Sequence, residues 1–467
     1  MSPAAIPATN SPISGVPITE TPAPTAQPSV TAPAPTRVLS IDVLRGLTIA
    51  LMILVNDPGD WAHTYAQLDH AKWNGFTLTD FVFPNFLFLV GVSIIFSLQS
   101  RIARSASGIL DNATKKTLAL HILRRAFLIF AIKMFLTAFP YFHYTHFRIY
   151  GVLTRIALCY LAAGLICLAT QRVRTLAAIT AALLIGYWIL MRFVPVPGLG
   201  TPAHDFPILD PDRNLAAWLD RAISAFTQGT IHTGTLYEHT RDPEGLLSTL
   251  PAIATTLIGS LTALWLRSGK LFSESNTASS RPDAAHFAAA AEGPRETPLA
   301  QTARTIQPPT PARILAGLIF AGILSLLAGL LWNLTFPINK NLWTSSYVLY
   351  SAGWSLLTLA LCYWLIDIRR LNESPAGKRL LWPWLVFGSN AITAFVISNL
   401  IVKIMLWIKV SDSFSGKPVT AWFWTYRHLF ARHGSTEVTS LLFAIAVVAV
   451  CFLPNWYLWR KRLFLKV

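Results

Sequence analysis

Charge is scarce in this sequence of 467 residues. Asp, Glu, Lys and Arg together make up 13% of it, about half of the share that soluble domains carry. Hydrophobic residues make up 53%, and so much apolar surface cannot be hidden behind so few charged side chains. The composition therefore excludes an ordinary soluble domain and indicates that lipid surrounds much of the chain.

Acidic residues are scarcer than basic ones, 22 against 38, which gives a net charge of +16. The basic residues form short clusters beside apolar runs, such as Arg369 with Arg370 and Arg460 with Arg462. This placement is typical of signals that orient a protein in a membrane. We therefore expect no nucleic-acid partner, although a soluble protein of this charge would suggest one.

Cysteine is rare too. The four cysteines, Cys159, Cys167, Cys362 and Cys451, all lie inside apolar stretches and show no metal-ligand spacing. We expect them to pack as small hydrophobic side chains, with no disulfide and no metal site.

Ten apolar segments are each long enough to cross about 30 Å of hydrocarbon. They lie near residues 38–56, 79–100, 117–139, 148–170, 174–194, 246–267, 312–333, 345–367, 380–408 and 436–459. The 16 tryptophans suit anchoring at the two membrane interfaces. The predicted fold class is all-α, a polytopic transmembrane helix bundle of about ten spans.

The connections between the spans alternate in charge, which predicts their sidedness. Residues 101–116 and 367–379 are basic, whereas 57–78 and 195–245 carry an excess of acids. Because basic loops tend to stay in the cytoplasm, both termini are predicted to be cytoplasmic and 195–245 to be an extracytoplasmic loop. The basic loop 409–435 is an exception to this pattern.

Two segments lack the composition of a folded core. Residues 1–36 are rich in Pro, Ala and Thr and are predicted to be a disordered tail; no basic region precedes an apolar stretch there, so we do not expect a signal peptide. Residues 268–312 are predicted to be a flexible cytoplasmic linker. The linker divides the spans into helices one to six, within 37–267, and helices seven to ten, within 313–467.

Polar groups in or beside a span are costly, which makes them candidates for function. Asp42 and Arg45 stand three residues apart in the first span, where they can pair near its cytoplasmic end. On the opposite side, six helices direct polar groups toward one face, which favours a site over a set of structural contacts. The members of this predicted cluster are Asn56, His70, Trp73, Asn74, Asp80, Lys133, Arg155, Glu244, Lys340, Asn341 and Asn390.

His70 is the strongest candidate for chemistry within this cluster. A histidine titrates in the range that suits removal of a proton from an acceptor amine or hydroxyl. Asp80 can orient the imidazole, and Asn56 or Asn74 can donate a hydrogen bond to a developing oxyanion. Spacing alone leaves open that His70 is an ordinary interfacial loop histidine. Three other histidines on the same side compete for the role: His63, His143 and His146.

Several long strings of this sequence resemble one known family. They run in order from residue 37 nearly to the C-terminus: SIDVLRGLTIALMILVNDPG (40–59), LDHAKWNGFTLTDFVFPNFLFLVGVSI (68–94), GVLTRIALCYL (151–161), DPEGLLSTLPAIATTLIG (242–259), FPINKNLWTSSYVLYSAGW (336–354) and FGSNAITAF (387–395). These strings are similar to the heparan-α-glucosaminide N-acetyltransferase family, in particular to its shorter bacterial members.

The resemblance implies an activity and roles for individual residues. The family transfers an acetyl group from cytoplasmic acetyl-CoA, the acyl-donor substrate, to an acceptor across the membrane, often the amino group of a terminal glucosamine. Its essential histidine matches His70 in HAKWNG, its asparagine after the first span matches Asn56, and its T-D-F-V-F-P aspartate matches Asp80. The remaining motif matches are Asp42 and Arg45 in D-x-x-R-G and Glu244 in D-P-E-G.

The expected protein is a multi-pass acyltransferase of a bacterial inner membrane that acetylates a glucosamine-type sugar at the extracytoplasmic face. His70, Asn56 and Asp80 are the predicted catalytic residues. The other cluster members except Lys133, together with Asp42 and Arg45, are predicted to bind substrate. The expected partners are the lipid bilayer, acetyl-CoA and a glycan acceptor, with a homodimer left open. Two alternatives remain: a secondary transporter, whose polar site would be expected near the midplane of repeated halves, and an O-acyltransferase of envelope glycans.

Overall fold

Apolar segments fold as helices in a membrane because a helix satisfies its backbone N–H and C=O groups internally when no water is present. The computed structural model describes residues 38–102, 110–279, 310–412 and 416–464. In chain order its α-helices are α1 Leu39–Asn56, α2 Leu78–Ile102, α3 Asn112–Ala138, α4 Val152–Ala169, α5 Val173–Phe193, α6 Leu215–Ile231, α7 Thr249–Ser279, α8 Pro311–Asn333, α9 Ser345–Cys362, α10 Pro375–Ser389, α11 Ala391–Trp407, α12 Ala421–Thr425 and α13 Glu437–Arg460.

Several short elements connect the α-helices, among them the 3₁₀ turns Tyr144–His146 and Leu371–Glu373. The strands β1 Lys409–Ser411 and β2 Pro418–Thr420 pair antiparallel between α11 and α12. Helices α9 and α12 continue into the π-helical turns Tyr363–Ile368 and Tyr426–Phe430. The predicted all-α fold class is confirmed, since β1 and β2 form the single sheet in the part of the chain that the structure describes and the other elements are helical.

The predicted spans correspond to helices, with two differences. Among the described residues, eight single helices are long and apolar enough to cross a membrane: α1, α2, α4, α5, α7, α8, α9 with its π-helical turn, and α13. Helices α10 and α11 meet the requirement only together and are bent by 81°, so the predicted span 380–408 is broken. Helix α3 coincides with the predicted span 117–139 but is not one of the eight. It is more polar than those eight helices because it contains Arg124, Arg125 and Lys133.

The predicted tail and linker fall largely in parts of the chain that the structure does not describe. The tail 1–36 lies outside the described residues, as does most of the linker 268–312. Helix α7 runs on to Ser279, so the first residues of that linker are helical. The predicted loop 195–245 contains the amphipathic helix α6. The described helices of 37–267 and 313–467 belong to one compact unit.

Glycines bring α2 and α7 into direct backbone contact. A Cβ added at Gly91 would lie 1.8 Å from the carbonyl oxygen of Thr256, and one added at Gly259 would lie 2.0 Å from that of Phe88. Lipid gives helices no hydrophobic reason to associate, so close approach of small residues and the resulting van der Waals contact hold such a pair together. The same contact fixes the position of α2 along α7, and the first turn of α2 carries Asp80.

Two loops on one side of the bundle are hydrogen-bonded to each other. The loop between α1 and α2 contributes Gly75, whose N–H donates to the carbonyl oxygen of Ile338 at 2.9 Å, and Asn74, whose Oδ1 accepts from the side-chain amide of Asn339 at 3.1 Å. Ile338 and Asn339 belong to the loop between α8 and α9. These bonds align the loop that carries His70 with a loop from the second half of the chain.

The substitution Gly259→Ala is expected to lower the melting temperature of the purified protein in detergent. Its methyl group would meet the Phe88 carbonyl oxygen at 2.0 Å, and over-packing of this kind costs about 1–3 kcal/mol. Gly186→Ala in α5 is the matched control, because a Cβ there meets no atom within 4 Å and replacing a helical glycine stabilises by about 0.5–1 kcal/mol. The melting temperatures are measured by tryptophan fluorescence. Equal values for the two variants would contradict the described packing.

Candidate functional site

His70 lies against the first turn of α2, where Asp80 anchors its ring. The Nδ1 atom of His70 is 2.8 Å from Oδ1 of Asp80. The other carboxylate oxygen accepts the backbone N–H groups of Ala71 and Thr77, both at 3.1 Å. The Asp80 side chain is 1% exposed and that of His70 is 42% exposed. The carboxylate is therefore a fixed support, whereas the imidazole remains accessible.

The hydrogen bond to Asp80 determines which nitrogen of His70 is reactive. A carboxylate only accepts hydrogen bonds, so Nδ1 carries the proton and donates a hydrogen bond to Asp80. In the neutral ring Nε2 then keeps its lone pair. Through Nε2 such a histidine can remove a proton from a substrate or attack an electrophilic carbon.

Lys340 reaches the same imidazole from the loop between α8 and α9. Its Nζ lies 2.9 Å from Nδ1 and 3.0 Å from Nε2 of His70, and 3.7 Å from Oδ1 of Asp80. Burial lowers the pKa of Lys340, and the charges of Asp80 and Glu244 act in the opposite direction. A lysine whose pKa is lowered in this way gives up its proton more readily than a solvated one.

A cavity of about 500 Å³ opens beside His70. Its polar lining consists of Asn56, Asp69, His70, Lys72, Thr79, Asp80, Arg148, Tyr237, Glu238, Glu244, Lys340 and Asn341. Its apolar lining includes Met52 of α1, Val82 and Phe83 of α2, and Val152 of α4. A concave site with convergent polar groups above an apolar surface is the usual form of a small-molecule site.

Arg148 fixes another part of the cavity wall. Its guanidinium donates to both carboxylate oxygens of Asp242, at 2.6 and 2.7 Å, and also contacts the carboxylate of Glu244. The same guanidinium lies 4.7 Å from the centre of the Tyr237 ring. A bidentate pair of this kind sets orientation as well as charge, so the D-P-E-G segment presents Glu244 to the cavity in a defined position.

Asp220 of α6 also holds the D-P-E-G segment. Its two carboxylate oxygens accept the N–H groups of Asp242 and Leu246, each at 3.3 Å. A Cβ at Gly245 would lie 2.3 Å from an Asp220 oxygen, so the approach requires glycine. Burial, and then the charge of Asp242, raise the pKa of Asp220 to about 7.

Sequence reasoning missed Arg148, Asp220 and Asp242 as site residues. Arg148 stood at the first residue of a predicted span, and Asp220 stood in a predicted loop with no motif around it. Asp242 belongs to the same D-P-E-G string as Glu244, and that string was the one signal that could have identified it. The other two are brought to the site by tertiary contacts alone.

The structure brings together six of the predicted site residues around the cavity: Asn56, His70, Asp80, Glu244, Lys340 and Asn341. Trp73 and Asn74 belong to the supporting layer instead. The Trp73 indole donates to the carbonyl oxygen of Leu209 at 2.9 Å and packs under the guanidinium of Arg241, 4.8 Å away. Asn74 holds Asn339, as described above. Neither residue lines the cavity.

Arg155 also supports the site from outside the cavity. It is 1% exposed, donates to the carbonyl oxygen of Gly245 at 3.1 Å and contacts the hydroxyl of Ser248. Its guanidinium lies 5.0 Å from the centre of the Trp343 ring. In this structure Arg155 therefore positions the segment that carries Glu244, whereas the sequence predicted that it binds substrate.

Three predicted substrate-binding residues lie at the other end of α1. Asp42 and Arg45 form the expected ion pair, and Arg45 also donates to the carbonyl oxygen of Gly388 at 2.8 Å. Asn390 follows at the break between α10 and α11. Arg45 and Asn56 are separated along α1 by roughly 16 Å at the helical rise of 1.5 Å per residue. The structure thus places Asn390 with the Arg45 end, not with His70 as the sequence suggested.

The competing histidines do not reach the cavity where their side chains are described. His63 pairs with Asp60 at 2.7 Å, and His143 packs beside Tyr141 with ring centres 6.0 Å apart. The side chain of His146 lies outside the described part of the chain. Among described residues, no three His, Cys, Asp or Glu side chains come together as metal ligands.

Asp220→Asn is expected to change the pH dependence of stability. In the wild-type protein the pKa of Asp220 is about 7 when folded, against an ordinary value near 3.8, so raising the pH between these values ionises the unfolded chain first and favours unfolding. The neutral amide removes this contribution. The melting temperature of the variant minus that of the wild type should become more positive from about pH 5 to about pH 8. A difference independent of pH would contradict the raised pKa.

Residues 37–220 match the sequence model of the catalytic domain of heparan-alpha-glucosaminide N-acetyltransferase. The matched range contains Asn56, His70 and Asp80, whereas Glu244 and Lys340 lie beyond it. The heparan-alpha-glucosaminide N-acetyltransferase of Homo sapiens is 27% identical over 400 residues, which cover 78% of this chain and 52% of the human protein. That of Mus musculus is 26% identical over 409 residues, 79% of this chain and 54% of the mouse protein.

The chain spans about half the length of the curated relatives it matches. The matched range 37–220 contains the His70–Asp80 pair, and the alignments with the two mammalian proteins cover most of the apolar helices. Within residues 37–220 the chain is similar to the catalytic domain of heparan-alpha-glucosaminide N-acetyltransferase, and over 78–79% of its length it is similar to the two mammalian proteins of that name.

Proposed function

We propose that this chain is a membrane acetyltransferase that moves an acetyl group from acetyl-CoA to the amino group of a glucosamine-type sugar. The observation that carries the proposal is the His70–Asp80 hydrogen bond of 2.8 Å at the edge of a cavity of about 500 Å³. Similarity to the catalytic domain of heparan-alpha-glucosaminide N-acetyltransferase suggests the class of reaction. The pair supplies what that reaction needs, a nitrogen base whose orientation is fixed and whose lone pair is accessible.

The chemistry requires an amine to lose a proton as it attacks the thioester carbonyl carbon. In one route Nε2 of His70 takes that proton during a direct attack. In the other, Nε2 attacks the thioester first, and the amine then displaces an acetylimidazolium. Both routes place a positive charge on the ring, and the Asp80 carboxylate beside Nδ1 stabilises it.

Asn56 is the residue best suited to stabilise the oxyanion that both routes generate. It ends α1 and is exposed on the cavity wall that also contains His70. Its side-chain amide can donate a hydrogen bond to the thioester oxygen as negative charge develops there. Removal of one such donor typically costs about 10²–10³ in kcat.

Acetyl-CoA entering from the cytoplasmic side would meet two features that suit its chemistry. Basic side chains such as Arg369 and Arg370 near the C-terminal end of α9 can attract its phosphates. At the other end of the bundle, the apolar part of the cavity, with Met52 and Phe83, lies within α1 and α2 and can accommodate the pantetheine arm. The sugar then approaches His70 from the loop side of the cavity.

A thiol-release assay with purified protein tests the proposed function. Acetyl-CoA with glucosamine should release coenzyme A. His70→Ala should reduce kcat by about 10²–10⁴. Asp80→Asn, which removes the anchoring carboxylate, should reduce kcat to a smaller degree. N-Acetylglucosamine lacks the free amine and is the matched control acceptor. Unchanged turnover in His70→Ala would overturn the proposal. Transfer to N-acetylglucosamine, identified by mass spectrometry, would favour the O-acyltransferase alternative.

Sidedness has its own test, because we propose that His70 faces the extracytoplasmic side. His204 lies in the loop between α5 and α6, with a side chain that is 84% exposed, and Arg174 is exposed at the opposite end of α5. In intact cells a membrane-impermeant maleimide should label His204→Cys and should label Arg174→Cys only after permeabilisation. The opposite pattern would place the cavity in the cytoplasm and contradict the proposed orientation.

A further inference from the structure

We propose that Lys340 is a catalytic residue of this reaction: its Nζ gives a proton to the sulfur of the departing coenzyme A and recovers one that the acceptor nitrogen releases. The inference rests on the proposed function and adds a second proton-transfer group to it. It is carried by the contact between Nζ and the reactive nitrogen, by the rigid loop that holds it, and by the arrangement of charge around it.

The position of Nζ is the first observation. It lies 3.0 Å from Nε2 of His70, the nitrogen that keeps the lone pair when Nδ1 donates to Asp80. A substrate atom that reacts with Nε2 is therefore within reach of Nζ. The Lys340 side chain is 18% exposed and lines the same cavity as His70.

A simple ion pair with Asp80 does not account for this position. The carboxylate oxygen is 2.8 Å from His70 Nδ1 but 3.7 Å from Nζ, so the ring and not the ammonium is its nearest partner. The shortest contacts of Nζ are with the two ring nitrogens, at 2.9 and 3.0 Å. The imidazole, and not the carboxylate, is therefore the immediate partner of the Lys340 amino group.

The loop that carries Lys340 is built to hold it in place. The backbone N–H of Asn339 donates to the hydroxyl of Thr344 at 3.0 Å. The side-chain oxygen of Asn339 accepts the N–H of Leu342 at 2.9 Å. The hydroxyl of Thr344 in turn donates to the carbonyl oxygen of Pro337 at 2.8 Å. Together with the bonds to Gly75 and Asn74, these contacts fix Nζ relative to the imidazole.

The charges around Lys340 suit a group that changes its protonation state. Asp80 of α2, Glu244 of the D-P-E-G segment, His70 and Arg155 of α4 are the ionisable groups that face it. Burial lowers its pKa, as described above. Charged Lys340 beside neutral His70 carries one positive charge, and so does neutral Lys340 beside an acylated or protonated ring. The reaction thus moves a charge within the site and creates no buried thiolate.

The covalent steps balance in the route through an acetylated histidine. Nε2 forms a bond to the carbonyl carbon, the carbon–sulfur bond breaks, and sulfur leaves with its electron pair and takes a proton from Nζ. The neutral amine of the acceptor then forms a bond to the same carbon, the carbon–Nε2 bond breaks, and a proton from the amine nitrogen returns to Nζ. The sum is thioester plus amine giving amide plus thiol.

Direct transfer uses Lys340 in the same way. His70 takes the amine proton while Lys340 protonates the sulfur. The imidazolium then passes its Nε2 proton to neutral Nζ across 3.0 Å. The inference therefore does not depend on which route the enzyme follows.

Two substitutions and two acetyl donors test the role. Lys340→Met removes the charge and the proton, whereas Lys340→Arg keeps a charge but does not release a proton near neutral pH. With acetyl-CoA we expect both variants to lose about 10²-fold or more in kcat. With the S-acetyl ester of 4-nitrothiophenol, whose thiolate leaves unprotonated, both should come within about fivefold of the wild type.

The pH profile supplies a second readout. Lys340 must be charged to protonate sulfur, so wild-type turnover of acetyl-CoA should fall as the pH rises through its lowered pKa. This fall should be absent from Lys340→Met. Lys409→Met on exposed β1 is the matched control and should behave as the wild type.

Three outcomes would overturn the role of Lys340. They are near-normal turnover of acetyl-CoA by Lys340→Arg, an equal loss with both donors in a variant whose melting temperature is unchanged, and a wild-type pH profile in Lys340→Met. Each of them, observed in a protein that His70→Ala inactivates, leaves the acetyltransferase proposal intact. Turnover that survives His70→Ala would instead contradict the proposed function itself.

Discussion

A buried carboxylate at the start of α2 is the constraint on which the site depends. Asp80 is almost completely removed from water, and an isolated carboxylate there would be strongly unfavourable. The loop between α1 and α2 compensates by folding around it, with backbone N–H groups from Ala71 and Thr77 and the imidazole of His70 as donors. The same contacts that stabilise the charge give the histidine its orientation and its reactive tautomer.

The site is assembled from parts that are distant in the sequence. Asn56, His70 and Asp80 come from the first two spans, Glu244 from the segment before α7, and Lys340 from the loop before α9. The segments that carry Asp80, Glu244 and Lys340 are each held by supporting hydrogen bonds, such as those from the D-P-E-G segment to Asp220. Groups supported in this way keep the fixed geometry that proton transfer requires.

Several features of the molecule followed from the sequence for simple physical reasons. Apolar runs long enough to cross a membrane must be helical, so the positions of α1, α2 and α13 could be predicted closely. The break at Asn390 could not, because hydropathy continues through it and only the packing of α10 and α11 shows the 81° bend. Helix α3 shows the reverse case, in which basic residues reduce the apolar signal of a long helix.

The candidate site was predictable in part. His70 and Asp80 stand in one short segment of unusual composition, so their contact followed from proximity along the chain. Trp73, Asn74 and Arg155 were predicted in the same cluster, but their side chains turn away from the cavity and support its walls. For these three residues sequence position indicated the correct side of the bundle, whereas the direction of each side chain depends on the neighbouring helices.

By itself the sequence determined that this chain is a helical membrane protein with a histidine and a carboxylate at one end of its first two spans, because composition and local spacing suffice for both. The tertiary structure alone decided that Lys340 meets the imidazole and that Arg148 and Asp220 fix Glu244. Those contacts join segments separated by tens to hundreds of residues, and they depend on how the helices pack, which no local pattern in the sequence records.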